Sequence, residues 1–128
     1  MQALRILIVE DSGVMRKIVE RALRQTGIPI GQVLEAADGS QALDMLRQQK
    51  VDLVLSDINM PVMGGLEFVR QLGEVDGALN TPVLMITAEG AESHVRQAIA
   101  FGARGYVRKP FTPDEMRRQV LSALRMAT

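Results

Sequence analysis

The chain has 128 residues, 47% of them hydrophobic, and fifteen basic side chains balance fifteen acidic ones. This length supports one domain around one core, and the neutral balance gives no positive footprint for nucleic acid. The absence of cysteine excludes disulfides, thiolate chemistry and cysteine-held metal. The N-terminal MQALRILIVED lacks a charged lead into a long apolar region, and no apolar run is long enough to cross a bilayer, so a soluble cytoplasmic domain with no membrane partner is expected.

Short β-branched runs alternate with segments of helical period, the sign of βαβ units around a parallel sheet. Leu4 to Val9 is predicted as the first strand, apolar apart from Arg5, as suits a strand covered on both faces. Met15, Ile18, Val19, Ala22 and Leu23 then fall on one helical face, with Gly27 as the stop. Val33 to Ala37 reads as the second strand, and Ser40 to Gln49 as a helix carrying Ala42, Leu43 and Leu46. Val51 to Ser56 is the third strand, and Leu66, Val69 and Leu72 mark the third helix. Pro82 to Thr87 is the fourth strand, followed by a helix with Val95, Ala98 and Ile99; RGYVRK gives the fifth strand. TPDE opens the last helix, with Thr112 as N-cap, Pro113 in the first turn and Glu115 able to complete a capping box. Met116, Val120, Leu121 and Leu124 form its apolar stripe.

Right-handed crossovers make such strands parallel and send their C-terminal ends to one edge of the sheet, where ligands bind in open α/β folds. Glu10 and Asp11 follow the first strand, Asp57 the third, Thr87 ends the fourth and Lys109 the fifth. Each has an ordinary reading taken singly: Glu10 and Asp11 as helix caps, Asp57 as a loop cap, Thr87 as a strand-end threonine, Lys109 as a solvated lysine. Their joint placement favours one shared explanation. Converging carboxylates need a cation, and an all-oxygen site suits Mg²⁺ or Mn²⁺. Three carboxylates, one divalent ion and one ammonium sum to zero, and a phosphoryl group is the natural substrate, with Asp57 as nucleophile. Only three of the fifteen cations are lysine, and a compact ammonium suits a point contact to phosphate. His94 has no partner at useful spacing and reads as a surface residue. The arginines at 16, 21, 24, 117, 118 and 125 read as solvated helix faces.

The motifs VED after the first strand, DINMPVMGG after the third, ITA ending the fourth and KPF after the fifth resemble, in order and over essentially the whole chain, the receiver domains of bacterial two-component response regulators, most of all the CheY-like single-domain type. The resemblance implies a flavodoxin-like (βα)5 fold with a five-stranded parallel sheet in the order 2-1-3-4-5, and one receiver domain over residues 1–128 without an output domain. It implies that Asp57 accepts a phosphoryl group from a histidine kinase or phosphotransfer protein. Mg²⁺ would be held by Glu10, Asp11, Asp57 and the Asn59 backbone carbonyl, while Lys109 and Thr87 contact the phosphoryl group. Thr87 and Tyr106 would form the switch, Asn59 and Glu89 would tune phosphoryl lifetime, and the Lys109–Pro110 bond would be cis. The output would be a protein target binding the face made by the fourth helix, fifth strand and fifth helix, and the chain would not be an enzyme beyond its own phosphorylation and dephosphorylation.

Three other readings compete. A small aspartate-nucleophile phosphatase of the haloacid dehalogenase type normally has a second acid where this chain has Asn59. A flavodoxin-like FMN carrier needs a hydroxyl- and glycine-rich phosphate loop where this chain has EDSGVM. A phosphorylation-independent adaptor would not need the full set of site residues. Under the receiver reading, Asn59→Ala and Glu89→Ala change the decay rate of the acyl phosphate more than its formation rate. Decay rates equal to wild type in both variants would contradict the assigned tuning role.

Overall fold

Strands that are apolar on both faces must be covered on both, and the alternation of side chains shows which helices do the covering. The computed structural model describes residues 2–75, 80–88 and 92–125. In chain order its elements are β1 (Leu4–Val9), α1 (Gly13–Arg24), β2 (Ile30–Ala36), α2 (Gly39–Gln48), β3 (Leu53–Asp57), α3 (Gly65–Leu72), β4 (Val83–Thr87), α4 (Glu92–Ala100), β5 (Gly105–Arg108) and α5 (Pro113–Arg125). Ile6, Ile8, Leu53, Leu55, Leu84 and Ile86 pack with Val19 and Leu23 of α1 and Met116 and Val120 of α5. Leu7, Val9, Val54 and Met85 turn the other way, onto Leu43 and Leu46 of α2, Phe68 and Val69 of α3, and Val95 and Ala98 of α4. The result is a three-layer, doubly wound domain whose five strands lie in the order β2-β1-β3-β4-β5, every neighbouring pair parallel. No helix among the described residues is long and apolar enough to cross a membrane.

Several expected boundaries move. The second strand starts at Ile30, because Leu4 pairs with Ile30 across a register shift; Pro29 and Gly31 hide that start in the sequence. The third strand runs to Asp57, which still has a partner, Ile86, on β4. The fifth ends at Arg108, although the Lys109 N–H continues the ladder by donating to the Thr87 carbonyl at 2.8 Å. The second helix starts at Gly39 with Asp38 as its N-cap, accepting from the Gln41 N–H at 2.9 Å. Ile18 and Ile99, expected on apolar stripes, are 46% and 47% exposed, since Val19 with Leu23, and Val95 with Ala98, already fill the sheet-facing positions. Gly27 does lie past the end of α1, at φ +83°, where a residue without Cβ is favoured. Thr112 accepts from the Glu115 N–H at 3.2 Å, so that half of the predicted capping box forms.

The stretch joining β3 to α3 is the tightest part of the fold. Val62 takes φ +66°, and the Met63 N–H bonds back to the Pro61 carbonyl at 2.7 Å, a three-residue turn. It brings the Gly65 N–H to the Ile58 carbonyl at 2.8 Å. A Cβ on residue 65 would lie 2.2 Å from the Asp57 carbonyl oxygen and 2.9 Å from the Ile58 Cα. Both are backbone atoms and cannot swing aside, so α3 rests directly on the main chain that carries Asp57. Gly65→Ala is therefore expected to cost about 3 kcal/mol or more, read as a lower urea midpoint. A midpoint equal to wild type would show that the loop has slack.

Candidate functional site

The parallel sheet brings the ends of β1, β3, β4 and β5 to one edge, and four of the five expected groups meet there directly. One carboxylate oxygen from each of Glu10, Asp11 and Asp57 lies within 4.8 Å of the others. The Lys109 ammonium stands 3.7 Å from Asp57 Oδ2. Glu10 is buried, Asp11 exposed, and Asp57 in between, so the cluster forms a pit open on one side.

The local structure removes the helix-cap explanation for Glu10 and Asp11. The cap of α1 is Ser12, whose hydroxyl accepts from the Met15 N–H at 3.2 Å, so neither Glu10 nor Asp11 is the N-cap. Glu10 Oε1 accepts from the Ser12 N–H at 3.2 Å, while Oε2 is buried with no hydrogen-bond partner among the described residues. An unpaired buried carboxylate oxygen is costly. Its burial, then the facing Asp57 carboxylate, push Glu10 up to about 8, against weaker opposition from the Ser12 N–H and Lys109. Asp57 Oδ1 accepts from the Ile58 N–H at 2.7 Å, which fixes the carboxylate and leaves Oδ2 toward Lys109. An orphan oxygen, three acids and no soft ligand form a donor set that fits a hard divalent cation.

Thr87 is buried at the end of β4 and lines a cavity of about 260 Å³ with Ala88, Val95, Ile99 and Tyr106. Tyr106 is 39% exposed, so its ring lies outward with free space between it and the threonine. Arg108 and Glu92, also on the cavity wall, pair at 3.6 Å. Asn59 is exposed on the loop after β3, His94 is exposed on α4, and the Lys109–Pro110 bond is cis. Glu89 lies outside the described residues.

Two residues escaped the sequence reading. Arg16, taken for a solvated helix arginine, donates from Nη1 to the Glu10 carbonyl at 2.6 Å and from Nε to Glu35 Oε1 at 2.7 Å. Contact with Arg16 holds the Glu35 carboxyl below the usual carboxylate range. A signal existed: Glu35 pairs in register with Ile8, so it points to the layer of α1, where a strand acid needs a cation opposite.

Residues 6–121 match the family model of the response regulator receiver domain. The chain is 37% identical over 117 residues to the chemotaxis protein CheY of Pseudomonas aeruginosa, covering 91% of this chain and 93% of that one. Its fold superposes with a TM-score of 0.83 on chemotaxis protein CheY4 of Vibrio cholerae at 34% identity, covering 96% of this chain and 100% of that one. It superposes equally, at 27% identity over 97% of this chain and 99% of that one, on the receiver domain of sensor histidine kinase PA1611 from Pseudomonas aeruginosa, which has a magnesium ion in its active-site cleft. The flavodoxin-like order of strands, the acid-lined edge and these matches agree: the chain belongs to the response regulator receiver family and is CheY-like.

Proposed function

We propose that the chain is a stand-alone response regulator, cytoplasmic, that accepts a phosphoryl group on Asp57 from a histidine kinase or phosphotransfer protein and signals by binding a protein target in trans. The carrying observation is the position of Asp57, whose Oδ2 lies 3.7 Å from the Lys109 ammonium and whose carboxylate lies in one cluster with Glu10 and Asp11. The coverage of 93% of the length of the CheY relative supports a CheY-like response regulator. The neutral charge supports a protein target over nucleic acid.

A carboxylate oxygen of Asp57 attacks phosphorus as the bond to the donor nitrogen breaks, and the freed imidazole leaves with the electron pair. Lys109 offsets negative charge on the phosphoryl oxygens as they arrive. Glu10, Asp11, Asp57 and the Asn59 backbone carbonyl would hold Mg²⁺, or Mn²⁺ in its place, which when bound supplies the charge that lets phosphoryl oxygens approach an acidic edge. The hydroxyl of Thr87, at the adjacent strand end, donates to the new phosphoryl group. Movement of Thr87 toward that group widens the cavity it shares with Tyr106, and the ring turns in from its exposed position. The face formed by α4, β5 and α5 thereby changes shape, and a target preferring the new face shifts the population. Hydrolysis by water restores the starting state.

The alternatives fit less well. Asn59 stands where an aspartate-nucleophile phosphatase would carry its second acid. The turn after β1 supplies carboxylates, which would repel the phosphate of FMN. An adaptor that is never phosphorylated has no use for a buried unpaired Glu10 oxygen opposite a lysine.

Two outcomes are expected. Below about pH 8 a proton must leave Glu10 before a cation takes its place, so Mg²⁺ affinity rises by up to about tenfold per pH unit and levels off above that value. The same raised acid makes the metal-free fold lose stability as pH climbs from 4.5 through about 8, and Mg²⁺ restores it. Calorimetric titrations between pH 6 and 9 that give one constant affinity would contradict this assignment. For the switch, acetyl phosphate with Mg²⁺ shifts the amide NMR signals of Thr87, Tyr106 and α4 in the wild type and leaves Asp57→Asn unchanged. Equal shifts in Asp57→Asn would mean that the response does not run through Asp57.

A further inference from the structure

Almost every polar atom of Glu10 is tied down, and most of the ties lead to β2. Its N–H donates to the Ala36 carbonyl at 3.0 Å. Its carbonyl accepts from the Arg16 guanidinium at 2.6 Å, and the same guanidinium is gripped by Glu35 at 2.7 Å. Glu35 and Ala36 are neighbours on β2, facing opposite sides of the sheet. The backbone of Glu10 is thus clamped from both of its polar groups to one two-residue segment of the edge strand. Oε1 takes the Ser12 N–H, leaving Oε2 buried and uncommitted among the described residues, while the carboxylate belongs to the acid cluster.

The clamp is built from α1 itself. Arg16 folds back over the first turn of its own helix and lies beside Gly13, where a Cβ would make an ordinary contact with the guanidinium at 3.4 Å. The Arg16 side chain is only 21% exposed, whereas that of Lys17, which also reaches Glu35, is 70% exposed and pairs at 3.3 Å. The two cations therefore differ in role. Lys17 adds charge beside Glu35, and Arg16 alone bridges Glu35 to the main chain of the metal-holding turn. A planar fork with donors on two nitrogens can span both partners; an ammonium at the same place is a point contact.

We propose that Arg16, oriented by Glu35, is a positioning residue that holds the Glu10–Asp11 turn in the conformation that binds a divalent cation. The inference rests on the reading of this edge as a metal site. It has a sign that separates it from simple electrostatics. A cation next to three carboxylates opposes a second cation, so removing its charge tightens metal binding if charge is all that matters. Loss of positioning weakens it, and partners that orient metal ligands typically contribute tenfold or more in affinity.

The test measures Mn²⁺ affinity by electron paramagnetic resonance of the free ion, together with thermal unfolding in EDTA, for wild type, Arg16→Gln, Arg16→Lys, Glu35→Gln, the double variant Arg16→Gln/Glu35→Gln, Lys17→Gln and Asp11→Asn. Arg16→Gln and Glu35→Gln are each expected to weaken binding about tenfold, with no further loss in the double variant because both break one link. Arg16→Lys is weakened despite its retained charge, and Lys17→Gln stays at or above wild-type affinity. Unchanged or tighter binding in Arg16→Gln would overturn the proposal, as would additive losses in the double variant. If Arg16→Gln fails to fold, Arg16→Lys carries the same test, because charge alone predicts no change for it, whereas Glu35→Gln weakens binding on either account. Asp11→Asn separates the two layers: if it loses Mn²⁺ while the Arg16 and Glu35 variants keep it, only the positioning role fails. If Asp11→Asn binds like wild type, the metal-site reading itself fails.

Discussion

Three carboxylates from two strand ends lie within 4.8 Å of one another, and their mutual repulsion is the constraint around which this molecule is organised. Left alone, such a group is unfavourable: among the described residues a buried glutamate oxygen has no partner, and burial with the facing Asp57 carboxylate pushes the Glu10 carboxyl up to about 8. One lysine at 3.7 Å offsets part of that charge. A folded chain retains an arrangement of this kind when something else completes it. Under the proposed function, a hard cation would complete this one by charge, and a phosphoryl group would do so by placing oxygens where the cation and the lysine both reach.

The architecture supplies the stiffness that the site needs. Strands buried on both faces, with α1 and α5 on one side and α2, α3 and α4 on the other, cannot slide without emptying two cores. β1 and β3 are adjacent, which puts their terminal acids side by side. Below Asp57 the main chain lies against Gly65 with no room for a methyl group, and beside Glu10 it is tied to β2. The opposite flank is looser: the cavity between Thr87 and Tyr106 and the exposed Arg108–Glu92 pair leave space for a side chain to move. Rigid acids on one side and free volume on the other are what a phosphoryl-driven switch requires.

Much of this was legible in the sequence because it depends on period and order. The alternation of short apolar strands with helical stripes gave the layering and the parallel sheet, and the ends of those strands gave Glu10, Asp11, Asp57, Thr87 and Lys109. The cap of α1 was not legible: Ser12 follows Asp11, and serine and aspartate both suit that position. Ile18 and Ile99 were placed on core faces because stripe reading cannot tell the centre of a face from its rim. Arg16 was missed for a different reason. Its partners are a backbone carbonyl six residues back and a side chain on a strand nineteen residues on, and no local pattern ties an arginine to either. Paired register across β1 and β2 reveals that link, and register is a property of the fold.

The most direct measurement is intact mass after incubation with acetyl phosphate, comparing the wild type with Mg²⁺, the wild type in EDTA, and Asp57→Asn with Mg²⁺, under conditions that preserve acyl phosphates. One added phosphoryl group on the wild type with Mg²⁺, and none in the other two samples, is the result expected of an acid edge that uses a cation to make Asp57 a phosphoacceptor. No addition to folded, Mg²⁺-loaded wild type, or addition that survives in Asp57→Asn, would contradict it.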